Sequence, residues 1–313
     1  MIKDALFYSK ILLFGEYGII QDSMGLSIPY GAYRGELNFA KENLNQEQEQ
    51  SNQHLNKFAQ HLIKLEEHGN LMANLDLNQL EKDISDRMYF DSTIPQGYGV
   101  GSSGALVAAI YDRYNLENAH ASSELPKEQI ARLKKIFAQM ESYFHGTSSG
   151  IDPLICYMKL PVLIKSQTDL GAVGMPLEGN GEGAIFLLNS GEPGETQPMV
   201  NIFWEKMKQE GFRNMLRKEF KKYNDDCIQS FLKGDVKPLF NSMKSLSSLV
   251  FDHFSPMIPQ GFKSVWQQGI ESNAYYLKLC GSGGGGFVLG FTQDLNKAKH
   301  ILKDHNLEVI HKF

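Results

Sequence analysis

The sequence feature that most constrains the fold is the glycine-rich segment Pro95–Ala105, which lies between a predicted strand and a predicted helix. The apolar patterns of Arg87–Ile94 and Ala105–Tyr114 indicate these two elements. Glycines let the backbone approach an anion closely, and the free N–H groups and dipole of a helix start favour phosphate. Ser102 and Ser103 add hydroxyls that suit phosphate or magnesium. The alternative is a tight turn with serine caps; the length of the loop and its serine pair favour phosphate binding.

Two other phosphate motifs are excluded by context. The spacing of Gly99, Gly101 and Gly104 fits the dinucleotide-binding fingerprint. That motif requires a second buried strand soon after its helix, but the polar segment Glu117–Pro126 stands there. The lysine of a P-loop is also missing from the segment.

A second glycine-rich segment, Leu279–Phe287, places four successive glycines before an apolar strand. Such a run is costly in conformational entropy, so we predict a close backbone approach at this point. A flexible hairpin turn is the alternative.

Two acids and a lysine are candidates for chemistry. Glu141 ends the predicted helix Lys127–Phe144, and Asp152 follows a Gly/Ser turn. Phosphoryl transfer requires a magnesium ligand and a group that orients or deprotonates the attacking hydroxyl, so the acids could divide these roles. Alone, each acid would more often be a cap or a surface charge. Lys10 interrupts the apolar predicted strand Ala5–Phe14, and a buried lysine requires an anionic partner such as Asp152 unless it lies on an edge strand. His145 is interpreted as a core or supporting residue and not as a catalytic one.

The chain as a whole mixes helices and strands without a regular alternation, which predicts an α+β fold. The linker-like segment Glu178–Gly183 suggests two domains, residues 1–180 and 181–313. Lys41–Gln53 is rich in Gln, Asn and Glu and is predicted to be a solvated insertion or a flexible loop. An amphipathic helix should follow it, with its apolar stripe formed by Leu55, Phe58, Leu62 and Leu65.

Composition excludes several classes of protein. The formal net charge of -5 argues against a general nucleic-acid binder. No window offers the roughly 18 apolar residues of a membrane span, so no membrane association is expected. Three scattered cysteines, Cys156, Cys227 and Cys280, are typical of reduced thiols. The apolar run at the N-terminus is too short for a secretory core, and we expect a cytoplasmic protein.

In combination, Lys10–Tyr17, Pro95–Ala105 and Lys278–Gly286 resemble the three motifs of the GHMP kinases, the superfamily of galactokinase, homoserine kinase, mevalonate kinase and phosphomevalonate kinase. His145–Asp152 and Leu187–Thr196 are similar to segments of mevalonate kinases in particular. These matches follow the family order from Lys10 to about residue 290. The resemblance implies a two-lobed fold with an S5-like N-terminal domain and a ferredoxin-like C-terminal domain.

The resemblance also implies roles for individual residues. Asp152 would be the catalytic base, and Lys10 would lower the pKa of the attacking hydroxyl. Glu141 and one of the two serines, taken as Ser103, would bind Mg²⁺. The ATP-binding residues would be Pro95, Gly97, Gly99, Val100, Gly101, Ser102, Ser103 and Gly104. The substrate contacts would be Glu16, Tyr17, Gly150, Thr196 and Gly283.

Three positions depart from the family pattern. Tyr17 stands where mevalonate kinases usually carry His, Pro153 where they carry Asn, and Ser148-Ser149-Gly150 where they carry Pro-Ser-Gly. The first departure bears on the choice of substrate. The other two are expected to affect the shape of the loop more than the chemistry.

The activity implied by the resemblance is the ATP-dependent phosphorylation of mevalonate to 5-phosphomevalonate in isoprenoid biosynthesis. The alternatives are a phosphomevalonate or sugar kinase, diphosphomevalonate decarboxylase, and a non-catalytic ligand sensor. The retention of Glu141 and Asp152 argues against the decarboxylase, and their retention with Lys10 argues against the sensor. Ile11–Tyr17 lacks the sugar-binding pattern of galactokinase. The sequence leaves a homodimer open.

Overall fold

The computed structural model describes residues 5–117, 125–166, 169–176 and 181–313. It mixes helices and strands, so the predicted α+β class is confirmed. The strands are β1 (Phe7–Phe14), β2 (Gly25–Phe39), β3 (Met88–Ser92), β4 (Val162–Ile164), β5 (Leu170–Ala172), β6 (Ala184–Asn189), β7 (Tyr276–Leu279), β8 (Phe287–Thr292) and β9 (Leu307–Lys312). The α-helices are α1 (Gln46–Glu67), α2 (Leu77–Ser85), α3 (Ser102–Tyr114), α4 (Lys127–His145), α5 (Ile151–Met158), α6 (Thr196–Met207), α7 (Glu210–Met215), α8 (Lys221–Lys233), α9 (Val236–His253), α10 (Phe262–Ser272) and α11 (Leu295–Ile301).

The chain divides into two compact units. The first unit comprises Met1–Lys10, Pro29–Pro95 and Gly101–Leu160, and the second comprises Ile11–Ile28, Gln96–Val100 and Pro161–Phe313. Residues 177–180, which include part of the predicted linker, lie outside the described residues. The domain boundary at residue 180 therefore stays a prediction beside this division by compactness.

In the first unit, β2 and β3 form an antiparallel pair from Gly35 opposite Ser92 to Phe39 opposite Met88. Helices α3, α4 and α5 share an aromatic core of Tyr111, Phe137 and Tyr157, whose ring centroids are 5.0–5.5 Å apart in edge-on contacts. These ring contacts hold the three helices against one another.

At Lys41–Gln53 the expectation of a flexible loop is wrong for the second half, which forms the first two turns of α1. Most residues of the segment are exposed, as the alternative of a solvated insertion predicts. Asn45 caps the helix in a reciprocal capping box with Gln48. Ser51 Oγ donates to the carbonyl of Phe90 (3.0 Å) and accepts from the N–H of the same residue (2.9 Å). The polar composition that suggested disorder therefore supplies a cap and contacts to β3.

In the second unit, an antiparallel sheet has the strand order β7-β8-β6-β9. Its central pair runs in register from Ala184 opposite Thr292 to Asn189 opposite Phe287. All six residues of β8 are buried, and so are five of the six in β6. Short strands β4 and β5 pair with each other, and β4 pairs with Gly25–Ser27 of β2.

Cys156, Cys227 and Cys280 are all buried, which agrees with their predicted role as small apolar residues, and their reduced state stays a prediction. Within the part of the chain that the structure describes, no helix has both the length and the apolar character that crossing a bilayer requires.

Candidate active site

The site in the first unit begins at the N-terminus of α3. Gly101 precedes this helix with φ of 82°, a conformation that favours glycine. A Cβ atom at Gly101 would also lie 2.8 Å from Cγ of Lys10, so a side chain there would collide with the lysine stem. In the described residues no side chain caps α3, which leaves the N–H groups of its first turn open to an anion.

The lysine of β1 pairs with the acid of α5. Nζ of Lys10 lies 2.9 Å from Oδ2 of Asp152, and the exposed fractions of the two side chains are 4% and 36%. The expectation of an anionic partner for a buried Lys10 is confirmed. Helix α5 begins after Gly150, which has φ of 72°, and Pro153 falls in its first turn, where the missing N–H costs nothing. The departure at Pro153 is thus compatible with the helix that presents Asp152.

Near the end of α4, the buried carboxylate of Glu141 accepts hydrogen bonds from two hydroxyl groups. Ser103 Oγ donates to Oε1 at 3.0 Å, and Ser148 Oγ donates to Oε2. One helical turn after Glu141, Nε2 of His145 lies 3.0 Å from the same Ser103 oxygen. The start of α3 and the turn between α4 and α5 therefore contact the same carboxylate.

Burial raises the pKa of Glu141 to about 7, and the negative charge of Asp152 adds to this effect. Hydrogen bonds from Ser148 and Ser103 and the charge of Lys10 act in the opposite direction. Burial lowers the pKa of His145, against the charge of Asp152. A cation at Glu141 would favour its ionised form, because opposite charges stabilise each other.

The donor atoms at this point suit magnesium. A serine hydroxyl and a carboxylate are oxygen ligands of the kind that a hard cation prefers, and Mg²⁺ is usually held by one or two carboxylates plus substrate phosphates. Ser103 contacts Glu141, which favours Ser103 over Ser102 as the partner ligand. Among the described residues, no group of three or more His, Cys, Asp and Glu side chains could hold a metal ion.

In the second unit, the glycines of three loops pack against one another. A Cβ at Gly99 would lie 2.5 Å from the carbonyl oxygen of Cys280, and one at Gly286 would lie 2.5 Å from Cα of Tyr98. The N–H of Gly194 donates to the carbonyl of Gly97 at 2.7 Å. The predicted close backbone approach at the four-glycine run is confirmed, and its partner is another part of the chain.

Glu16 contacts the strand that precedes the four-glycine loop, and Tyr17 contacts the loop itself. Oε2 of Glu16 lies 2.8 Å from Nζ of Lys278, and the two side chains are 3% and 0% exposed. Burial raises the pKa of Glu16, although the charge of Lys278 opposes the shift. Tyr17, with φ of 57°, donates its hydroxyl to the carbonyl of Ser282 at 2.8 Å, and its ring stacks on Phe203 at 4.7 Å. The substrate-binding roles of these residues stay predictions.

The other predicted substrate-binding residues are two glycines in close contact with neighbouring backbone and the first residue of α6. A Cβ at Gly150 would lie 2.1 Å from the carbonyl oxygen of Lys134, so this glycine allows α5 to approach α4. A Cβ at Gly283 would lie 2.4 Å from the carbonyl oxygen of Met257. Thr196 is the exposed first residue of α6.

Sequence reasoning missed two residues of these clusters. Lys278 is a lysine within an apolar strand, the same signal that singled out Lys10, and it carried the same implication of an acidic partner. Ser148 was assigned an effect on loop shape more than on chemistry, but its hydroxyl donates directly to the predicted magnesium ligand Glu141. Its place in the sequence, where the family usually has proline, was the available signal.

A comparison with protein families finds a match in this region. Residues 57–159, which contain Ser103, Glu141 and Asp152, match the model of the GHMP kinases N terminal domain. No curated protein sequence matches the chain significantly.

Solved structures show the fold. Mevalonate kinase of L. major, in complex with R-mevalonate, is 18% identical with a TM-score of 0.60, over 97% of this chain and 91% of that one. Phosphomevalonate kinase of Streptococcus pneumoniae, in complex with phosphomevalonate and AMPPNP, is 15% identical with a TM-score of 0.64, over 99% and 100%. Galactokinase of Lactococcus lactis, complexed with galactose, is 13% identical with a TM-score of 0.64, over 99% and 94%. The resemblance that the motifs predict is confirmed to this extent: residues 57–159 match the model of the GHMP kinases N terminal domain, and the chain has the fold of solved mevalonate kinases.

Proposed function

We propose that the protein is a magnesium- and ATP-dependent kinase that phosphorylates a small-molecule alcohol, and that mevalonate is its substrate. The observation that carries the proposal is the half-exposed Asp152 carboxylate, paired with buried Lys10 in the same unit as the Ser103–Glu141 contact. Solved proteins of this fold include complexes with R-mevalonate, phosphomevalonate and galactose.

Asp152 has the position and the partner that a base requires. An alcohol is a poor nucleophile at neutral pH, so its proton must leave as the phosphoryl group arrives. A carboxylate within hydrogen-bond reach can accept that proton or orient the hydroxyl. The exposed fraction of 36% leaves the carboxylate accessible to a substrate.

Lys10 contributes a fixed positive charge beside this carboxylate. The ammonium group would stabilise the negative charge that develops on the attacking oxygen. Because the stem of Lys10 is buried against Gly101, the ammonium group is held in place before any substrate binds.

Glu141 and Ser103 would hold the magnesium ion, and the N–H groups of Ser102, Ser103 and Gly104 at the start of α3 would bind phosphate oxygens. When bound, ATP supplies the phosphoryl group and magnesium offsets its negative charge. The remaining predicted ATP-binding residues, Pro95, Gly97, Gly99 and Val100, are included in the proposal on the strength of their motif.

Phosphomevalonate is the second candidate substrate. The favouring observation is Tyr17, which stands in place of the usual histidine of mevalonate kinases and is bound to Ser282. A different residue at a predicted substrate-binding position would change which substrate is preferred. The cytoplasmic location also remains a proposal.

The test is an ADP-release assay with Mg-ATP and, in turn, mevalonate, phosphomevalonate, homoserine and galactose. We expect mevalonate to give the largest kcat/KM, and Asp152→Asn to abolish most of that rate. Asp86→Asn, which alters an exposed carboxylate in the same unit, is the matched control. ADP release with none of the four alcohols, or an unaffected Asp152→Asn rate, would contradict the proposal.

A further inference from the structure

The hydroxyl of Ser103 lies between two groups on the same face of α4. Its oxygen is 3.0 Å from Oε1 of Glu141 and 3.0 Å from Nε2 of His145. Residues four apart on a helix are neighbours on its surface, so Glu141 and His145 reach Ser103 together. His145 has no part in the function proposed so far.

The hydrogen-bonding capacity of this cluster limits what can happen when a cation binds. A serine hydroxyl has one proton and two acceptor sites. In the structure the Ser103 proton points to Oε1 of Glu141, while Oε2 already accepts from Ser148. A cation bound by the Ser103 oxygen and by Oε1 would repel the hydroxyl proton from that side, because both carry positive charge.

The displaced proton needs a new acceptor. A hydroxyl that turns away from one acceptor donates its proton to another, either a neighbouring side chain or water. Nε2 of His145 already lies within hydrogen-bond distance of the Ser103 oxygen. A neutral imidazole with its proton on Nδ1 presents Nε2 as an acceptor.

We propose that His145 is a positioning residue whose Nε2 accepts the Ser103 hydroxyl proton when a divalent cation binds between Ser103 and Glu141. The proton stays on Ser103 and only changes its direction, so no bond is broken. This inference rests on the proposed function, since it takes Ser103 and Glu141 as the cation ligands. Its consequence is that His145 raises the affinity for the cation without contacting it.

The experiment separates an acceptor from a simple packing role. His145→Phe keeps an aromatic ring but removes the acceptor, and His145→Gln restores an acceptor oxygen at a similar reach. His145→Leu serves if the Phe variant does not fold. His54→Ala, at an exposed histidine of α1, is the matched control. For each protein, melting temperature is measured with AMPPNP plus EDTA and then with AMPPNP over a magnesium titration.

We expect the magnesium concentration for half of the additional stabilisation to rise by up to about tenfold in His145→Phe, as the loss of one hydrogen bond predicts. His145→Gln should stay within about twofold to threefold of wild type, and the shift caused by AMPPNP with EDTA should be the same in all variants. An unchanged magnesium midpoint in His145→Phe, or an equal loss in His145→Gln, would overturn the inference.

A double-mutant comparison gives an independent check. If His145 acts through the Ser103 hydroxyl, adding His145→Phe to Ser103→Ala should change the magnesium midpoint no further. An additional shift in the double variant would show that His145 acts by another route and would contradict the proposal. If wild type itself shows no magnesium-dependent stabilisation with AMPPNP, the proposed function fails, and the cation-positioning role fails with it.

Discussion

The two units contain lysine–carboxylate pairs that are alike in geometry and opposite in setting. Lys10 and Asp152 lie 2.9 Å apart in the first unit, and Lys278 and Glu16 lie 2.8 Å apart in the second. Both lysines are almost completely buried. The acids differ, since the Asp152 side chain is 36% exposed and that of Glu16 only 3%.

We expect this difference in exposure to distinguish a catalytic pair from a structural pair. A carboxylate that a substrate must reach has to keep one side open, as Asp152 does. We expect a pair closed on all sides to hold its two segments together, and Glu16–Lys278 joins the first motif to the strand that leads into the four-glycine loop. The comparison predicts that mutations of the two pairs affect different quantities.

The largest effect is expected for Asp152→Asn, which keeps the shape of the side chain and removes the base. Turnover should fall by about 10²–10⁴-fold, the range for a positioned acid or base. Stability should also fall, because buried Lys10 loses its ionic partner, but by less than in a fully closed pair, because the Asp152 side chain is partly open to water. Measuring kcat and melting temperature on one preparation is the check, and a near-normal kcat with a lowered melting temperature would make Asp152 a helix cap instead.

Glu16→Gln should act on stability. Removing one partner of a buried ion pair leaves the other charge unpaired and typically costs about 3–5 kcal/mol. Urea unfolding measures the loss. The double variant Glu16→Gln with Lys278→Met is the control, and it should recover part of the free energy because no lone charge remains; a single variant as stable as wild type would contradict the framework role.

Lys10→Met should lower turnover by about 10²-fold, through the loss of a positive charge beside the reacting oxygen. Combined with Asp152→Asn, the loss should be smaller than the product of the two single effects, because the residues act as a unit. Its stability cost should be below that of Lys278→Met, since the partner of Lys10 can turn to water. Independent, multiplicative losses of kcat would argue against a functional pair.

The pH dependence of the free energy of unfolding should reveal the buried carboxylate of Glu16. Burial raises the pKa of Glu16 above 4.5. Between pH 4.5 and that raised pKa, the folded state therefore holds a proton that the unfolded state has released. The stability of wild type relative to Glu16→Gln should therefore fall as the pH rises from about 4.5 through the raised pKa, with a slope of up to about 1.4 kcal/mol per pH unit. Parallel pH profiles for the two proteins would contradict a raised pKa at Glu16.

The smallest effect is expected for Tyr17→Phe, which removes the hydroxyl that donates to Ser282 and keeps the ring on Phe203. A typical net loss is about 1 kcal/mol of unfolding free energy. Tyr223→Phe, in the same unit, is the control. If Tyr17→Phe changes the preference between mevalonate and phosphomevalonate without a change in stability, Tyr17 is a substrate contact and not a brace.

Several of these features could be predicted from sequence because each depends on neighbours close along the chain. The strand before Pro95 and the helix after it follow from local periodicity, and Lys10 needed a partner because it interrupts an apolar strand. The α+β class follows from the irregular order of the elements.

The rest depends on contacts between distant positions. Glu16 and Lys278 are far apart in sequence, so only the fold shows that each satisfies the other. The helix at Gln46–Gln53 is held by hydrogen bonds from Ser51 and Asn52 to β3 and to the end of α2. Its composition alone indicates a loop, because polar residues are common to disorder and to capped helix starts.

The contacts among the glycine loops have a consequence for the order in which the chain folds during its synthesis. Their partners come from three distant places, around Gly97, Gly194 and Gly286. Contacts at such separations require the closure of long loops, and they tend to form late in folding. A chain still on the ribosome cannot complete this set before Gly286 has emerged. We therefore expect the loops to form late during synthesis, and chains stalled before Gly286 to expose them to proteases.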